Sequence, residues 1–98
     1  MSGFAATVAD PETEIAEISG HLNVEHAQLV RIVERALDDG QWVGHGIHTP
    51  TQWVALRAGV SPARAKLIVR VAERGSSFTA VFAAFEAGEL TLDQVAEV

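Results

Sequence analysis

Arg57, Arg64, Lys66, Arg70 and Arg74 are five of the seven cations in the chain, and all lie within residues 57–74. Cations at this density hold phosphate groups, by charge and, for arginine, by paired hydrogen bonds. Glu73 alone opposes them there, so that window carries +4, while the remainder, with two cations and twelve anions, carries −10. The overall charge of −6 argues against general affinity for nucleic acid, but the asymmetry points to a local anionic partner. Lys66, Arg70 and Arg74 recur at four-residue steps and on a helix form a strip spanning about 80° of arc. Such a strip lies along phosphates, or it is an ordinary solvated face; Glu73 inside it favours the second reading.

Other chemistries have weaker footing. Cysteine is absent, which excludes disulfides, thiolate zinc sites and a thiol nucleophile. His45 and His48 form an H-x-x-H pair in a glycine-rich loop, without a nearby carboxylate or thiol to complete tetrahedral coordination, so no metal is expected. His26 falls within an apolar helical stripe and is expected to be a buried, hydrogen-bonded imidazole, with an interfacial pH switch as the alternative. Ser61, Ser76 and Ser77 read as helix caps, none in the strand-turn-helix elbow of a nucleophile. Carboxylates such as Glu25 and Glu34 concentrate on the first helix, with Arg31 placed to pair with Glu34. No catalytic constellation emerges, so no enzyme activity, cofactor or small-molecule substrate is expected.

The elements that must position these residues are helices. Asp10-Pro11 has the form of a helix start, with a carboxylate cap and proline at the first helical position, and Glu12 and Glu14 lie where the dipole favours them. Ile15, Ile18, Leu22, Leu29, Val33 and Leu37 share one narrow arc at helical spacing. This predicts one long helix over about 11–39, bent near Gly20, with two helices and an Asn23 cap as the alternative. Gly40 suits the left-handed position that ends it. Residues 40–48 hold three of the eight glycines and read as a loop anchored by Trp42 and Ile47. Thr49-Pro50-Thr51-Gln52 combines an N-cap, a first-position proline and a capping-box glutamine, opening a helix to Ala58 that Gly59 stops. Ser61-Pro62 opens another to about Arg74, stopped by Gly75. Ser77 is expected to cap a fourth, with Phe78, Val81, Phe82 and Phe85 on one face, closed by Gly88. Thr91 to Gln94 form a second capping box.

The expected fold is therefore all-α, a small bundle of about five helices with one long N-terminal helix and a helix-turn-helix-like pair at about 50–58 and 62–74. In that pair Ala55 allows close approach, Val60 plugs the turn, and Ala65, Ile68, Val69 and Ala72 face inward. At 98 residues the chain makes one domain that buries roughly 60–65% of its unfolded surface, here residues 11–98, after a flexible arm over 1–10. The fifth helix opens close to Val98 without a terminal cap, so the chain is expected to be the N-terminal portion of a longer protein. With no membrane-length apolar run and no signal-peptide pattern, the expectation is a cytoplasmic protein that avoids membranes.

Three stretches carry a family resemblance: HAQLVRIVERALDDGQWVGHG (26–46), TQWVALRAGVSPARAKLIVRVAE (51–73) and FEAGELTLDQVAEV (85–98). In this order they resemble the 13E12 repeat family (domain of unknown function 222), abundant in high-GC bacterial genomes, and the likeness covers nearly everything after about residue 14. Where that family carries a Leu-Pro step, this chain has Gly75-Ser76-Ser77. Members commonly place this domain ahead of a C-terminal HNH endonuclease domain. The resemblance thus implies a non-catalytic N-terminal part of a metal-dependent DNA nuclease, with no catalytic residues to transfer.

Two functions follow as expectations. In the first, the chain is a DNA-targeting module that contacts double-stranded DNA through Arg57, Arg64, Lys66, Arg70 and Arg74, with the turn after Ser61 nearest the bases. In the second it is a protein-interaction module, a homodimer through the long helix, whose stripe at 15, 18, 22, 26, 29 and 33 has coiled-coil spacing and places Leu22, His26, Leu29 and Val33 at the seam.

Overall fold

The computed structural model describes residues 10–44, 46–74 and 77–98. Among them the chain forms five helices: α1 (Pro11–Asp39), α2 (Pro50–Ala58), α3 (Pro62–Arg74), α4 (Thr79–Glu86) and α5 (Leu92–Ala96). The architecture is all-α, with a lone backbone bridge between Gly44 and Ile47. No described helix is long and apolar enough to cross a membrane.

Local chemistry explains most boundaries. α1 runs unbroken through Gly20 and Asn23, starts at a proline, and ends where Gly40 takes a φ of 70°; glycine alone adopts that region without cost. Thr49 and Ser61 open α2 and α3 by accepting hydrogen bonds from the amides of Gln52 (3.0 Å) and Arg64 (3.1 Å). Gln52 does not close a reciprocal box: its Oε1 accepts from the amide of His48, one residue further back. Thr91 and Gln94 do close one, each side chain accepting from the other's amide.

Three local expectations are corrected. Asp10 is the N-cap of α1 but its carboxylate caps no amide, accepting instead from the Thr13 hydroxyl at 3.2 Å. Phe78, not Ser77, is the N-cap of α4, and it makes no side-chain cap. The amide of Phe82 bonds the Phe78 carbonyl, so the helix begins one residue late and Phe78 is left exposed. Trp42 and Ile47 are only half-buried and stay outside the main core cluster. Gly75, proposed to stop α3, and the arm over 1–9 lie outside the described residues.

α3 is the hub, packing against α1, α2 and α5, while α1 also meets α4 and α5. The core joins Ala27, Val30 and Val33 of α1 to Ile68 and Ala72 of α3 and to Phe82, Phe85 and Leu92. Phe82 and Phe85 meet edge to face at 5.5 Å. Arg31 lies 3.8 Å over the Phe82 ring and bonds both Glu34 and Glu86, which ties α1 to α4. The Glu86 hydrogen bond raises the Arg31 pKa further above its ordinary value.

α1 is positioned by one close approach. Gly88 closes α4 at a φ of 83°, with the amides of Gly88 and Glu89 bonded to the carbonyls of Phe85 and Ala84. A Cβ on Gly88 would stand 2.9 Å from the Gly20 carbonyl oxygen and 3.0 Å from Val24. Asn23 spans the same contact, donating from Nδ2 to the Gly88 carbonyl at 3.2 Å. Ahead of this point Pro11 to Ile18 are all exposed. The protruding helix start accounts for a radius of gyration of 16.5 Å, against about 13 Å for an ordinary domain of this size.

Candidate nucleic-acid interface

α2 and α3 form a corner around Gly59, which has a φ of 68° and whose amide bonds the Ala55 carbonyl. Ala55 and Val60 pack against the core as half-buried residues. Ala65, Ile68, Val69, Val71 and Ala72 fill the inner face of α3. The outer face presents Ala63, Lys66, Arg70 and Glu73, all exposed; Arg57, exposed on α2, lines a groove toward α1 with Leu29, Ile32 and Trp53.

The five cations do not form one surface. Arg64 faces α5, 3.8 Å from Asp93. Arg70 donates to the Ala96 carbonyl at 3.4 Å, and Arg74 donates to the oxygen of Val98. These carbonyls lie at the C-terminal end of α5, where the helix dipole attracts cations. Arg57 and Lys66 form no ion pair among the described residues. Ser61 sits at the corner, but its hydroxyl serves as the cap of α3.

The stripe expected on α1 divides as well. Val33 is buried in the chain's own core and His26 is half-buried, so neither belongs to an outer seam. Leu29 is half-buried and Leu22 is exposed. The expectation of a hydrogen-bonded His26 is also corrected, because its Nδ1 is buried without a partner. Burial pushes the His26 pKa below its ordinary value; the positive charge of Arg64 adds to this, and Asp93 offsets part of it.

Folding thus sets Arg64 of α3 beside Asp93 of α5, and both charges act on His26 of α1, a relation the sequence did not announce. The capping box that starts α5 places Asp93 in its first turn. No cluster of three potential metal-ligating side chains occurs among the described residues. His45, half of the H-x-x-H pair, lies outside them, and His48 is exposed.

Comparison of the chain with protein-family models, with curated proteins and with solved structures returned no match.

Proposed function

We propose that the chain is a DNA-docking module in which the α2–α3 corner rests on the phosphate backbone of a duplex. The observation that carries this reading is the outer face of α3, where Lys66 and Arg70 stand exposed on the helix that follows a left-handed glycine corner; Arg57, exposed on α2, adds a third cation to the pair. A helix held in this way can approach a groove while its neighbour crosses the backbone. The resemblance to a domain that commonly precedes an HNH nuclease makes DNA the anion of choice. Arg64 points instead toward Asp93 of α5, 3.8 Å away.

The test is fluorescence anisotropy on labelled duplex DNA across a salt series. It compares the wild-type chain with an Arg57/Lys66/Arg70→Glu variant whose helicity is checked by circular dichroism. Three neutralised phosphates give a slope of about −3 in log affinity against log salt. The variant is expected to lose binding. Salt-independent binding, no binding, or binding unchanged in the variant overturns the reading.

A further inference from the structure

The front of α1 carries an apolar stripe that the domain does not bury. Ile15, Ile18, Leu22 and Ile32 are 65%, 58%, 50% and 49% exposed. With half-buried Leu29 they occupy positions 15, 18, 22, 29 and 32, the alternating three- and four-residue steps of a heptad seam with Glu25 at the missing position. The residues at 26 and 33, which the same spacing could have used, turn inward instead. The stripe runs roughly 26 Å along the helix and opens at its far end into an apolar groove beside Trp53, Val54 and Arg57.

We infer that this stripe is the interface of a homodimer in which two copies of α1 lie antiparallel. The charge pattern selects both the occupant and its direction. Asp10, Glu12, Glu14 and Glu17 crowd the first two turns without a cation, whereas exposed Arg35 and Arg57 flank the opposite end of the stripe, with Asp38 and Asp39 one turn further on. A parallel pair stacks the acidic turns on each other. An antiparallel pair sets the acidic turns of one copy beside Arg35 and Arg57 of the other, on both sides of the two-fold axis. The knobs then match as Ile15 with Ile32 and Ile18 with Leu29 of the other copy. Leu22 meets Glu25 near the axis, and that carboxylate weakens the pairing. Arg57 is common to this inference and to DNA docking, but Leu22→Glu and Glu25→Leu leave every cation of α2 and α3 in place, so the two readings fail separately.

Sedimentation of the full chain over a concentration series is the primary test. The expected result is a monomer–dimer equilibrium, weakened roughly a hundredfold by Leu22→Glu and tightened at least roughly tenfold by Glu25→Leu. Both positions are exposed, so circular dichroism should show the monomer fold retained. Cysteine-free chemistry allows a test of direction. Under mild oxidation the Ile15→Cys/Ile32→Cys double variant should cross-link between copies, and neither single variant should. A monomer at all concentrations overturns the dimer, including the outcome in which residues 1–9 or another partner cover the stripe. Cross-linking of Ile15→Cys alone overturns the antiparallel arrangement.

Discussion

Replacing Gly88 with alanine tests the contact that sets α1 against the rest of the bundle. Two costs add at this position. The φ of 83° lies where a Cβ is unfavourable by about 1 kcal/mol. The new methyl would also stand 2.9 Å from the Gly20 carbonyl oxygen. That oxygen belongs to the backbone of a continuous helix, so the turn itself must move. Such overpacking costs about 1–3 kcal/mol, and movement of the turn also strains the Asn23 hydrogen bond. The expected loss is therefore about 2–4 kcal/mol, a sizeable part of the 5–15 kcal/mol that holds ordinary domains together. Gly40→Ala is the control, with a similar φ of 70° but open space around the added Cβ, and should lose only about 1 kcal/mol. Gly20→Ala, on the other partner, meets nothing within 4 Å and should stabilise the helix by about 1 kcal/mol. Urea denaturation followed by far-UV circular dichroism measures all three, with unchanged slopes as the condition for comparison. A Gly88→Ala loss no larger than that of Gly40→Ala would falsify the close approach and leave only the backbone conformation.

Two further outcomes follow from the same geometry. His26 has a folded-state pKa lowered from 6.5, so the unfolded chain takes up that proton first; stability is complete above about 6.5 and falls as pH drops through it toward the lower folded value. Thermal melts over that range should lose this component in His26→Gln, and an unchanged pH profile in the variant counts against the assignment. Thr91→Ala removes half of the reciprocal box at α5 and should cost about 1 kcal/mol, seen as a melting temperature lower by about 4–8 °C; an unaltered melt means the box contributes nothing.

The helix boundaries were legible because local chemistry sets them. Asp10-Pro11, Thr49-Pro50 and Ser61-Pro62 start helices whatever they pack against, and Gly40 and Gly59 stop them by accepting a conformation other residues resist. Where that chemistry was ambiguous, tertiary contact decided. Ser77 had the side chain of a cap, yet α4 starts after Phe78, whose neighbours Phe82 and Phe85 are drawn into the core. The inner face of α3 was readable from its apolar period. The fate of its cations was not, because Arg64, Arg70 and Arg74 answer to α5, a helix far along the chain that lies beside them only after folding.

The sequence alone determined an all-α chain, a glycine corner and a cationic segment, since each depends on residues within a few positions of one another; it favoured a long first helix but left a break at Asn23 open. The tertiary structure alone decided the rotation of α1. Its spacing allowed 26 and 33 to join an outer seam, but the Gly20–Gly88 approach and the Asn23 hydrogen bond hold Ala27, Val30 and Val33 against the core. That rotation leaves Ile15, Ile18, Leu22 and Ile32 outside. Periodicity specifies the angles between side chains on one helix; only the neighbours that pack against it choose which of those angles faces in.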